Sequence, residues 1–149
     1  FTTFTLPGWA GIGLVLCLVF GNLHQQHLFF ERLEATGGNF AFSNAINRMA
    51  DDALSLPPEL VHVFPDWGFM MSFAFLTANQ RIYDIDISQE HLRGLANDGR
   101  VLRLYFWKAE DTDKYRDSLL AGGFEVRVTG TYHQRDQKIA FYWVEAVAR

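Results

Sequence analysis

Charge is missing from the start of this chain: no Asp, Glu, Lys or Arg precedes Glu31. After Glu31 both signs are interspersed, and the whole chain carries a formal net charge of −4. That balance provides no basic face, which excludes a nucleic-acid partner as the expectation. Cysteine is nearly absent as well. Cys17 stands alone inside the uncharged run, so neither an intrachain disulfide nor a Cys-based zinc site is expected. No G-x-S-x-G, H-E-x-x-H or P-loop pattern occurs, and with them go the usual marks of a serine hydrolase, a zinc protease and a nucleotide-binding loop. The histidines do not converge. His24 and His27 have i, i+3 spacing but fall at the end of the apolar run, where polar interfacial residues explain them more simply than a metal. His62 reads as a core or edge residue of a strand. No catalytic centre, metal or cofactor is expected from the sequence.

What is present first is the apolar run itself, LPGWAGIGLVLCLVFGNL, over residues 6–23. As a helix it spans roughly 27 Å, close to the hydrocarbon thickness of a bilayer. Pro7 suits the first helical turn, Trp9 an interfacial aromatic, and Gly8, Gly11 and Gly13 a smooth packing face. A signal peptide requires a basic leader and a cleavage site, and neither is visible. A buried core helix is not needed, because the residues that follow make a complete pattern without it. The Gly11-x-Gly13 pair lacks the preceding strand and third glycine of a dinucleotide loop. Residues 1–30 are therefore expected to be a transmembrane helix with its flank, and residues 31–149 a separate soluble α/β domain. Arg32 is the sole basic residue close after the run, and the next is Arg48. Cytoplasmic flanks carry more, so the domain is expected on the extracytoplasmic (periplasmic) side.

In that domain, periodicity and stop signals alternate. Residues 29–35 continue the helix or form a short linker, which Gly37-Gly38 breaks. Ser43 opens a helix with Phe42, Ile46, Met49, Ala50 and Ala53 on one face, and Pro57-Pro58 ends it. Residues 60–64 (LVHVF) read as a buried strand, Pro65-Asp66-Trp67-Gly68 as a turn, and residues 68–76 as a buried helix. Residues 81–87 (RIYDIDI) alternate as a second strand. Ser88 caps the next helix, with Ile87 and Leu92 placed as a hydrophobic staple, and Asp98-Gly99 ends it. Residues 100–107 form a third strand. Asp111 or Thr112 opens a helix carrying Tyr115, Leu119 and Leu120, which Gly122-Gly123 stops. Residues 124–131 and 138–147 alternate as a terminal β-hairpin around a polar loop. The expected fold is α/β: a mostly parallel open sheet of about five strands, helices on both faces, and a C-terminal hairpin.

Open α/β sheets bind ligands beyond the carboxyl ends of their strands. The candidates there are Asp66 and Trp67 after strand one, Asp84 and Asp86 in strand two, and Trp107 after strand three. Asp66 beside an indole can grip a sugar hydroxyl, or it can cap the helix that follows, which is the plainer role. Asp84 and Asp86, two residues apart on one strand face, can share acid–base work or a cation, or can simply face solvent at the sheet edge.

Phe42-Ser43-Asn44-Ala45-Ile46, then Val63-Phe64-Pro65-Asp66-Trp67-Gly68, then Phe73-Ala74-Phe75-Leu76-Thr77 carry a resemblance. Over residues 1–80 the chain resembles the region after the last membrane helices of bacterial GT-C glycosyltransferases. These multi-spanning enzymes are similar to dolichyl-phosphate-mannose–protein mannosyltransferases and lipid A aminoarabinose transferases. The resemblance implies sugar transfer from a polyprenyl-phosphate donor, with the upstream transmembrane helices and membrane lipid as partners. It also implies catalytic carboxylates in loops between early membrane helices, so no catalytic residue carries over to this stretch. The expected role is an accessory, non-catalytic domain, with further hydrophobic segments encoded before Phe1. Two other readings remain beside it. One is a self-contained Rossmann-like enzyme, similar to a methyltransferase with its terminal hairpin. The other is a membrane-tethered interaction module.

Overall fold

The uncharged run folds as one long helix. In the computed structural model, which describes residues 8–38 and 43–149, α1 covers Gly8–Thr36. The chain divides into two units, one ending at Ala35 and the other spanning Thr36–Arg149. Helix α1 is 29 residues long, roughly 43 Å at the usual helical rise. Its stretch Trp9–Thr36 is long and apolar enough to cross a membrane, with a mean hydropathy of 1.2. Large apolar side chains point outward along it, including Trp9 (76% exposed) and Phe20 (66%). Residues 29–35 continue the helix. There His27 and Glu31 face each other at 3.2 Å one turn apart.

The second unit is built from α2 (Ala45–Ser55), β1 (Val61–Val63), α3 (Met70–Leu76), β2 (Tyr83–Asp84), α4 (Gln89–Asn97), β3 (Val101–Phe106), α5 (Asp111–Ala121), β4 (Phe124–His133) and β5 (Ile139–Ala148). The expected face of α2 is buried through Ile46, Met49, Ala50 and Ala53; Phe42 lies outside the described residues. Ser88 caps α4 as expected, accepting the His91 N–H, and Ile87 and Leu92 join one apolar cluster. Two expectations change. Strand β2 is two residues, not seven, because the carboxylate of Asp84 accepts the backbone N–H groups of Ile85 and Asp86 and turns the chain out of the ladder. Helix α3 is not buried throughout: Phe73 is enclosed, whereas Met71 (74%) and Phe75 (83%) face outward.

The sheet order is β2-β1-β3-β5-β4. Strand β1 is parallel to β2 and β3, but β5 is antiparallel to both β3 and β4. The sheet is therefore mixed, which corrects the expectation of a mostly parallel one. The reason lies in which strand of the hairpin can be interior. Strand β5 buries Ala140, Phe141, Val144 and Ala146, so both of its faces are apolar and it enters between β3 and β4. Strand β4 leaves Glu125, Arg127, Val128 and Thr129 at the surface and takes the edge. Arg103 of β3 and Glu145 of β5 stand directly opposite and bond at 2.6 Å, a cross-strand pair that fixes the register.

Helices cover both faces, as expected. On one, α2 and α3 enclose an aromatic core of Phe64, Phe69, Phe73, Tyr105 and Phe141. On the other, α4 and α5 close over Val61, Val63, Leu102, Leu104 and Phe124. His62 sits fully buried on the aromatic face, with Nδ1 2.9 Å from the Tyr105 hydroxyl. At the hairpin, a Cβ on Gly130 would stand 2.5 Å from the Trp143 ring, and that ring carries the Arg103 guanidinium 4.2 Å from its centroid. Gly130→Ala is expected to push the indole off Arg103 and to destabilise the domain by about 1–3 kcal/mol. Denaturant unfolding checks the stability, and a reduced near-ultraviolet tryptophan signal checks the displacement.

Candidate functional site

The connections leaving β1 and β3 diverge. After β1 the chain enters α3 on the aromatic face; after β3 it enters α5 on the opposite one. The gap between the carboxyl ends of these neighbouring strands is the switch point of the sheet, the place where open α/β folds bind ligands. It is reached by Pro65-Asp66-Trp67-Gly68 from one side and by Trp107 from the other. Gly68 has φ +102°, a left-handed conformation that only glycine adopts without strain and that lets this turn close.

Three of the five sequence candidates meet here, and they bind one another. Asp66 accepts the Trp107 backbone N–H through Oδ2 at 3.0 Å and the Tyr115 hydroxyl through Oδ1 at 2.7 Å. The Trp107 indole N–H donates to the carbonyl of Trp67 at 2.8 Å. Its ring stacks on Phe69, with centroids 3.8 Å apart and planes 14° from parallel. The switch point is thus filled by the protein's own side chains. Asp66 does not cap α3, contrary to the plainer sequence expectation. The residue before that helix is Phe69, and no side chain caps it. Asp66 instead ties the β1 turn to β3 and α5. Burial, and then the bond to Asp66, raise the Tyr115 pKa, so the phenol remains a donor at neutral pH. Tyr115 went unnoticed in the sequence as part of this group because it lies 49 positions from Asp66 and reads as an ordinary apolar residue of its helix.

Outside this lock the turn borders a hollow of about 470 Å³, walled by Phe64, Pro65, Gly68, Met70, Met71 and Ile85. Its lining is mostly apolar, with Asp66 and Ser72 as the polar exceptions. Trp67 stands at the rim, 86% exposed.

Asp84 and Asp86 do not act as a pair on one strand face, because β2 ends at Asp84. Asp84 Oδ2 lies 2.6 Å from His91 Nε2 on α4, while its other oxygen closes the turn. Asp86 accepts the Ser88 N–H at 2.7 Å and the Ser88 hydroxyl at 3.1 Å, and these bonds lower its pKa. Both carboxylates organise the bend into α4 at the sheet edge. His91 was not a sequence candidate; its spacing from Asp84 becomes meaningful once β2 is seen to stop there. A separate polar hollow of about 400 Å³ lies between α2 and β4, where Tyr132 donates to Asp52 at 2.8 Å. Among the described residues no group of three or more His, Cys, Asp or Glu could hold a metal ion.

Comparison with protein-family models and with curated proteins returns no match.

Proposed function

We propose that this chain supplies a tethered, non-catalytic domain to a membrane-embedded glycosyltransferase that uses a polyprenyl-phosphate-linked sugar, and that the domain lies on the extracytoplasmic side. The single observation that carries its accessory character is the filled switch point. The one carboxylate placed where an α/β enzyme holds its ligand, Asp66, already accepts two hydrogen bonds from within the domain. Helix α1 supplies an element able to span a bilayer. The choice of a glycosyltransferase rests on the likeness of residues 1–80 to the GT-C region. A self-contained methyltransferase-like enzyme is a poorer fit, because Pro65-Asp66-Trp67-Gly68 stands where a glycine-rich cofactor loop would follow β1.

Two measurements test the proposal. The reading frame upstream of Phe1 is expected to encode further hydrophobic segments; a start codon within a few residues of Phe1 would sink it. In membranes carrying the full-length protein, Asp84→Asn and Asp86→Asn are expected to leave sugar transfer at its original rate, because both side chains are engaged within the domain, Asp86 in the turn into α4 and Asp84 in that turn and with His91. A complete loss of transfer in either variant, with the domain still folded, would place chemistry in this domain and overturn the accessory role.

A further inference from the structure

The most exposed apolar side chains of the second unit fall together, whereas Leu54, Ile82, Val128 and Ile139 are exposed singly elsewhere. Trp67, Met71 and Phe75 follow one another at four-residue intervals from the β1 turn along α3, 86%, 74% and 83% exposed. Ile85, 58% exposed, stands across the apolar hollow from Met71. The row then runs into a second hollow, which shares Ser72 with the first and is bordered by Phe75, Leu76, Asn44 and Gly37. Large apolar residues exposed in a continuous row mark a surface that meets an apolar phase or a partner.

We propose that this face of α3 rests on the bilayer interface, with Trp67, Met71 and Phe75 entering the headgroup and upper acyl region. Three observations favour lipid as the occupant. Gly37, which follows α1 in the chain, borders the same hollow as Phe75 and Leu76; the row therefore ends beside the first residues of the domain. Charge is sparse on the face: of the described residues lining the two hollows only Asp66 is ionisable to a full charge, and both its oxygens are bonded internally. The side chains also protrude instead of lining a closed cavity, and tryptophan in particular favours the membrane–water interface. The attraction is apolar, so it needs no anionic lipid, in keeping with a net charge of −4.

This inference rests on the reading of α1 as a membrane span, and the test separates the two. In a Cys17→Ser background, single cysteines are introduced by Val15→Cys, Met71→Cys or Asp117→Cys, and each is given a nitroxide label. The intact chain is placed in phosphatidylcholine nanodiscs, and label collisions with oxygen and with a water-soluble nickel chelate are measured. Residue 15 is expected to meet oxygen and not nickel, and residue 117, on α5, the reverse. Residue 71 is expected to lose its nickel collisions and gain oxygen collisions, moving from the pattern of residue 117 to that of residue 15. Adding Trp67→Ser and Phe75→Ser is expected to return it to the water-accessible pattern. A water-accessible residue 71 beside a lipid-exposed residue 15 overturns the docking and spares the span; a water-accessible residue 15 overturns the span itself. Loss of both collision types at residue 71 means burial against protein and overturns the lipid assignment, as does an unchanged pattern in the triple variant.

Discussion

Asp66→Ala is expected to destabilise the domain by about 3–6 kcal/mol, since hydrogen bonds to a charged group contribute about 1.5–3 kcal/mol each and two are removed at once. The groups left behind make the loss larger than two deleted contacts. The Trp107 N–H and the Tyr115 hydroxyl are both turned toward the carboxylate, and Tyr115 is buried, so water replaces little. In thermal unfolding of the intact chain in detergent, the domain's Tm is expected to fall by roughly 12–24 °C. Asp66→Asn provides the internal control. Its amide oxygen can accept from Trp107, while its NH2 donates to the Tyr115 oxygen, which turns from donor to acceptor. Both contacts survive without charge assistance, and the expected loss is about 1 kcal/mol. If alanine and asparagine are equally mild, Asp66 does not lock the switch point and is available to a ligand after all.

Stability is also expected to drop by about 3 kcal/mol as the pH falls from 6.5 to 4, because one histidine cannot be charged where it sits. Burial first, then the positive charges of Arg103 and Arg81, lower the pKa of His62 from 6.5 to about 4. Its Nε2 has no hydrogen-bond partner, and its ring lies against Phe73 with centroids 4.8 Å apart. The unfolded chain therefore binds a proton that the folded chain refuses throughout this window. Stability is complete above pH 6.5 and is lost as the pH falls toward 4. Carboxylates titrate in the same range, so the informative quantity is a difference. His62→Phe keeps an aromatic ring in the cluster but removes one partner of the Tyr105 hydroxyl, which keeps Arg103, at a cost of about 1–2 kcal/mol at neutral pH. Denaturation midpoints taken across the window should show the variant losing less stability on acidification than the native chain. Parallel pH profiles for the two proteins would contradict a buried neutral histidine.

How much of this was legible in the sequence varied with the range of the interaction. Signals contained in a few residues read correctly: the helical character of the uncharged run, the apolar stripe of α2, Ser88 before α4, and Gly122-Gly123 after α5. Strand β2 misled because RIYDIDI alternates well from Tyr83 onward, yet Asp84 and Asp86 fold their side chains back on the following N–H groups, and alternation cannot register that competition. The neighbours of β5 were hidden for another reason. Alternation of strands and helices orders the chain, but which hairpin strand lies inside depends on the burial of both its faces. That preference was present in Ala140, Phe141, Val144 and Ala146 and was outweighed by the parallel-sheet rule. In the site, residue types pointed to the right place and the wrong use. Asp66, Trp67 and Trp107 do converge, but their mutual bonds depend on Tyr115, which no local pattern ties to them.

The position of β5 sets the order in which this domain can be made. The ribosome releases β1 to β4 first, yet β3 and β4 have no direct neighbour in one another. Until β5 appears, both present open hydrogen-bonding edges and an uncovered apolar surface. The sheet can close only when its last strand pairs with β3 and brings β4 with it, a long-range step of the kind that slows folding. By then α1 has long left the exit tunnel and is free to enter a bilayer. On the proposal that α1 spans a bilayer, the half-built sheet waits at the membrane during the interval in which open strand edges most readily aggregate.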